Sequence, residues 1–337
     1  MEGRKLQLAG GSTYLVSLPK RWVQRAGLKP GDTLYVEVET DGAVSVRHKA
    51  ESKAEVRRKI FEERGEEARD HLLRKLIGAY VSGFGLIEVR FPPTKGPFVR
   101  RVAREFCRLV IGPEVIEESR GSILIQDLSD PSELSPEKCI RRMHLIVRAM
   151  LEDAINALKA GTLALAQDVA QRDQDVDRLY WMVAKQYHLS HAATARGDAD
   201  LASAEIHGHR LVAKLLERIG DHAERMAKTF SVLLEGKGLD PKLVKEIEEA
   251  NASAVLILDQ AFHSLVSGDI DEANRTIDAR LHHQKLVDAL SHRVATKKGE
   301  ELLALGTIVD SLGRTASYAA DIAEQAINLA VLREKPA

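Results

Sequence analysis

Two stretches of the chain can be written one above the other: LERIGDHAERMAK at 216–228 and LGRTASYAADIAE at 312–324. Upstream of each, ALKAGTLALAQDV (157–169) lines up with SLVSGDIDEANRT (264–276), and both carry a glycine after a long helical pattern. A duplicated unit constrains the fold more than any single motif does, because each copy must bury an apolar face against the other. The duplication lies within a region that reads as almost wholly helical from Pro136 to Leu332. Ser135 and Pro136 make a helix start, with serine as cap and proline in the first turn. Breaks at Ala160-Gly161-Thr162, Gly197-Asp198, Gly236-Lys237-Gly238, Ser267-Gly268-Asp269 and Lys298-Gly299 divide the region into six helices. The expected body is two tandem three-helix bundles joined by short loops.

The first fifty residues have a different period. TYLVSL alternates Tyr14, Val16 and Leu18 on one side, as a strand does. Pro19 opens a short helix, PKRWVQRAGL, which Gly27 ends. LYVEVE alternates again, and Asp41-Gly42 is a hairpin signal before Val44 and Val46. Trp22 reads as a core anchor of this unit. So small a β-rich unit buries too little surface to stand alone, so a second copy is expected to complete it. Between lie a charged helix over ESKAEVRRKIFEERGEEARDHLLRKLIGAY, a strand LIEVRF, a helix FVRRVAREFCRLVIG and a hairpin turning at Arg120-Gly121. The expected division is therefore residues 1–50, a small α/β module at 51–130, and bundles at 131–236 and 237–337.

Composition agrees with a mainly α protein: aromatics are only 4% of 337 residues. No apolar run reaches bilayer length, and MEGRKLQLAGG lacks a signal-peptide core, so a cytoplasmic location is expected. Cys107 and Cys139 are too few and too far apart for a disulfide framework. The net charge is −1, but residues 1–50 hold eight basic against five acidic side chains, the acids mostly in the second half.

LERIGDHAERMAK resembles the signature helix of PhoU-domain proteins, and TASYAADIAEQAI resembles its second copy. The resemblance covers about residues 135–333. It implies regulation of phosphate uptake without enzymatic activity, alongside a phosphate transporter ATPase or a sensor kinase. GGSTYLVSLPKRWVQRAGLKPGDTLYVEVETDGAVSV is similar to the AbrB/SpoVT family of swapped-hairpin DNA-binding dimers. That second resemblance implies a homodimer or higher homo-oligomer binding DNA, with Arg4, Lys5, Lys20, Arg21 and Arg25 as the phosphate contacts. The alternative is a head that only dimerises the chain, its basic residues solvated.

Glu217 and Asp221 are four residues apart, which puts two carboxylates within reach of one cation. A helical wheel sets them opposite a stripe of Leu211, Leu215, Ile219, Met226 and Phe230. Asp173 and Asp177 on the preceding helix have the same spacing. The PhoU resemblance implies metal ions, namely iron, zinc or magnesium, held by Glu217, Asp221, Asp173 and Asp177. The competing reading is a solvated face with ion pairs of little worth. In the second copy the matching positions are Gly313 and Ser317, with Arg280 and Gln284 where the first has Asp173 and Asp177, so a cluster is not expected there unless Asp310, Asp321 or Glu324 supply one in altered geometry. His222 reads as a packed, hydrogen-bonded histidine, whereas His207, His209, His282 and His283 read as surface residues. A di-iron carboxylate enzyme needs Glu-x-x-His on two helices, and none of the twelve histidines has a glutamate three residues before it.

Overall fold

A computed structural model describes residues 3–11, 13–38, 44–47, 56–63, 65, 68–129, 134–194, 201–234 and 239–333. The expected Asp41-Gly42 turn and the breaks at 197–198 and 236–238 lie outside these residues. The chain divides into two units, Met1–Val56 and Arg57–Ala337.

In the first unit β1 (Gln7–Ala9) pairs antiparallel with β2 (Thr13–Leu15). A short helix, α1 (Lys20–Arg25), follows Pro19 and stops before Gly27, whose φ of 65° suits a residue without a Cβ. Then β3 (Tyr35–Val38) pairs antiparallel with β4 (Val44–Arg47). The two ribbons are separate two-stranded sheets. None of the unit's residues whose burial is described is buried, and Trp22 is only half-buried. Its strand residues are bare: Val38 is 73% exposed and Tyr14 67%.

The second unit opens with an α/β module. β5 (Arg58–Glu62), α2 (Arg69–Val81), β6 (Leu86–Arg90), α3 (Gly96–Leu109), β7 (Pro113–Glu118) and β8 (Ser122–Asp127) follow in order. The sheet runs β5-β6-β8-β7, with β5 parallel to β6 and the other pairs antiparallel. β5 corrects the expectation of one charged helix through 51–80. RKIFE alternates as a strand does, and Ile60 and Phe61 pair with Glu88 and Val89 along β6, so sheet pairing overrides a helix-like charge content. Leu72, Leu76 and Tyr80 of α2 and Val99, Val102 and Phe106 of α3 cover the sheet's Ile87, Val89, Ile123 and Ile125.

The body has six helices: α4 (Pro136–Ala160), α5 (Leu163–Thr194), α6 (Leu201–Leu234), α7 (Pro241–Ser267), α8 (Ile270–Val294) and α9 (Gly299–Arg333). The first helix of each triplet begins and ends alike. Ser135 and Asp240 cap the starts at Pro136 and Pro241, and Gly161 and Gly268, in left-handed conformation, close the ends. Helices α4–α6 pack together, as do α7–α9, and the triplets meet through α6 against α9 and α4 against α7. Both share one apolar core. Burial repeats in register along the duplicated helices: Leu216, Ile219, Ala223 and Met226 correspond to Leu312, Thr315, Ala319 and Ile322, all fully buried. His222 and its register partner Tyr318 face each other, ring centroids 5.8 Å apart, so the triplets are related by a local pseudo-two-fold. The architecture is mainly α: in chain order, a small β-rich unit, an α/β module and two three-helix bundles.

The module is fastened to the first bundle by α5. Trp181 packs against both cores. Tyr80 Oη donates to the Ile111 carbonyl and lies 3.8 Å from Met182 Sδ. The Lys185 ammonium, buried, pairs with Asp127 and donates to Ser129 Oγ at 3.0 Å.

Candidate functional site

The acidic seam lies between α5 and α6. The wheel reading of α6 needs correction. Leu211 is 39% exposed, whereas Glu217 is only 9% exposed. The buried line is Val212, Leu216, Ile219, Ala223, Met226 and Phe230. α6 is an inner helix that packs on α5, α4 and α9, so a wheel with one wet side misplaces the residues facing α5. Small residues Ala213, Gly220 and Ala227, seven apart, mark that second contact line. A Cβ at Gly220 would lie 3.0 Å from Asp173 Oδ1 and 3.4 Å from Val176 Cγ1, so glycine lets the two helices close over the aspartate.

Asp173 is 8% exposed, and its Oδ1 has no hydrogen-bond partner; Glu217 Oε2 is likewise buried and without one. Asp177, Asp221 and Glu224 are half-buried around them. Burial, then the charges of Asp177, Glu224, Asp221 and Glu217, pushes the Asp173 carboxyl up to about 7. Burial, then Glu217 and Asp221, pushes Asp177 up to about 6, against the pull of Lys214. Asp221 is raised by burial and by Glu217. The cations sit on the rim: Lys214 Nζ is 2.6 Å from Glu217 Oε1, and Arg218 Nη1 is 3.5 Å from Asp221 Oδ2. Two aspartates crowded until they hold protons near neutrality, one of them with a buried oxygen that accepts no hydrogen bond, fit an oxygen-ligated cation in chemistry. Among the described residues, no three His, Cys, Asp or Glu groups already converge as a formed cage.

The matching seam of the second bundle is built otherwise. Between α8 and α9 runs a groove of about 580 Å³ whose lining includes Gln284, Gly306, Asp310, Gly313, Arg314 and Ser317. Asp321 is raised by burial and by Glu324, with Arg280 opposing.

His222 is buried and its Nδ1 is 3.2 Å from Ser311 Oγ across the pseudo-two-fold. His207 and His282 are exposed, as expected. His209 and His283 depart from that expectation and are buried. His209 is 5% exposed with Nδ1 3.2 Å from Glu137 Oε1, and His283, 1% exposed, donates from Nε2 to the Leu312 carbonyl. Each faces a neighbouring helix that a pattern read along one helix does not reveal.

In the first unit Arg4 and Lys5 lead into β1, and Lys20 and Arg21 open α1; all four are exposed. The side chain of Arg25, the last residue of α1, lies outside the described set.

Comparison with known proteins places two regions. Residues 140–230 match the PhoU domain, and residues 7–53 match MazE, described as an antidote-toxin recognition, bacterial antitoxin family. A phosphate-specific transport system accessory protein PhoU homolog from Caulobacter vibrioides is 34% identical over 109 residues, 32% of this chain. The chain spans about half the length of that relative, 45%. Among solved structures, PhoU from Pseudomonas aeruginosa superposes with a TM-score of 0.52 at 22% identity, covering 58% of this chain and 94% of that one. The phosphate transport system regulatory protein PhoU from Streptococcus pneumoniae gives 0.51 at 17% identity, covering 59% and 94%. At such identities the likeness is one of fold. The chain therefore carries a PhoU domain in its first bundle and a MazE/AbrB-like module at its start.

Proposed function

We propose that the protein is a DNA-binding transcriptional regulator of phosphate uptake, cytoplasmic and non-enzymatic. The observation that carries this reading is the joining, in one chain, of a PhoU domain to a MazE/AbrB-like module with exposed basic residues. The bare apolar strands of the first unit favour a homodimer or higher homo-oligomer, since a second copy would cover them. Arg4, Lys5, Lys20, Arg21 and Arg25 then hold operator phosphates. Among the described residues, no helix is long and apolar enough to cross a membrane. A phosphate transporter ATPase or sensor kinase is the partner whose state the helical body reads.

The acidic seam is the second input. Asp173, Asp177, Glu217 and Asp221 would hold iron, zinc or magnesium, and a bound cation would supply the positive charge that the seam lacks. Lys214 and Arg218 pair with Glu217 and Asp221, and no cation pairs with Asp173 or Asp177 among the described residues.

A second reading is an adaptor that inhibits the transporter or kinase, with the head serving only as a dimer clamp. The designation of the Caulobacter relative as an accessory protein favours it. A gel-shift titration across salt concentrations, against the promoter of a phosphate-transport operon, decides between the two. The expected result is a shift that weakens steeply with salt and is lost in the Arg4→Ala, Lys5→Ala, Lys20→Ala, Arg21→Ala variant. No shift, or one indifferent to these changes, favours the adaptor.

A further inference from the structure

The α/β module carries a surface that neither family match covers. α3 reads GPFVRRVAREFCRL, with four arginines against one glutamate. Its inner face is apolar and fully buried at Val99, Val102, Ala103 and Phe106. Its outer face is arginine. Arg101, Arg104 and Arg108 fall at the i, i+3, i+7 positions of one stripe and are exposed. From Arg101 to Arg108 the stripe spans about 10 Å along the helix axis. Arg104 Nη2 is tied to Glu118 Oε1 at 3.0 Å, and Arg100 Nε is 3.5 Å from the same carboxylate. Among the described residues, Arg101 and Arg108 have no carboxylate partner.

Three features select the occupant. The stripe is arginine without lysine, and the planar guanidinium suits bidentate binding of phosphate oxygens. No large apolar side chain of α3 itself is exposed; the module's exposed ones, Ile60 and Ile116, lie on its strands and are about 40% exposed. A protein partner or a membrane surface would need such anchors, whereas a phosphate backbone needs none. Finally, the same chain carries the MazE-like match, at residues 7–53. We infer that the outer face of α3 is a second nucleic-acid contact, with Arg101 and Arg108 holding the phosphate backbone of duplex DNA. This rests on the DNA-binding reading above and adds to it a sequence-independent grip outside the head.

The test uses the full-length chain, a fluorescein-labelled duplex of arbitrary sequence and a salt series read by anisotropy. Arg101→Gln with Arg108→Gln is compared with Lys20→Gln with Arg21→Gln. Both changed α3 positions are exposed, so the fold tolerates the substitution. The expected result is that the α3 variant binds about tenfold more weakly at low salt. The slope of log K against log salt should fall by about 2 for each protomer engaged. If the α3 variant binds as the parent does while the head variant loses binding, the inference falls and the DNA-binding reading stands. If the parent protein does not bind the duplex, both fall. If the parent sediments with phosphatidylserine vesicles through Arg101 and Arg108 while duplex binding is unchanged in the variant, the surface belongs to a membrane and the inference is overturned.

Discussion

The two bundles share a helix plan, a capping pattern and a register of buried residues, and they differ where α5 meets α6 and α8 meets α9. In the first bundle that seam holds buried carboxylates drawn together over Gly220. In the second it is an open groove floored by Gly313 and Ser317. Duplication preserved what the core requires, because Leu216 and Leu312 answer to the same packing constraint. It did not preserve the charged seam, which packing alone does not require. A residue pattern kept in one copy and lost in the other is not one that the shared core requires.

The comparison is tested most severely by metal content. Protein purified without an affinity tag and analysed by elemental analysis is expected to carry metal. The pair Glu217→Ala, Asp221→Ala should remove all of it, and Gly313→Ala with Ser317→Ala should remove none. Metal that persists in the first pair would dissolve the distinction between the seams. Next in size is the shared core. Leu216→Ala and Leu312→Ala are each expected to cost about 2–5 kcal/mol, with similar losses in urea unfolding, because both side chains are fully buried. A loss confined to one bundle would mean that the repeat is one of sequence rather than of packing. The smallest effect concerns protons. An aspartate whose folded pKa is raised, as Asp173 is to about 7 from 3.8, binds more protons folded than unfolded between those values. Stability of the metal-free protein should therefore fall as pH rises from about 4 to about 7. Asp173→Asn should flatten that slope and raise the melting temperature at pH 7.5 by about 2–4 °C, while Ser317→Asn should leave the slope unchanged. Calorimetry with chelator present checks it.

Much of the fold is legible in the residues alone. Gly161 and Gly268 announce helix ends because an αL cap favours a residue without a Cβ, and both take positive φ, at 65° and 73°. The hairpin about Gly121 follows from alternation on both sides, Val115 pairing with Ile125. The carboxylates of the seam stand out as i, i+4 pairs. Their depth does not, because α6 packs on α5, α4 and α9 and its wet stripe runs along His207, Leu211, Arg218 and Arg225 instead. The signal that reveals it is the row of Ala213, Gly220 and Ala227, small residues where another helix comes close. β5 is hidden for a related reason: RKIFE has the charge of a surface helix, and only its partner at Leu86–Arg90 makes it a strand. Single-helix patterns describe neighbours along the chain and say nothing of neighbours across it.

α5 carries Asp173 and Asp177 toward one end and Trp181 and Lys185 further on, with neither glycine nor proline between them. About 12 Å of unbroken helix separates Asp173 from Trp181. A rod with no joint transmits a tilt rather than absorbing it. The two aspartates of the seam and the side chains that fasten the β-sheet, Trp181 and Lys185, are thus set out along one continuous strut.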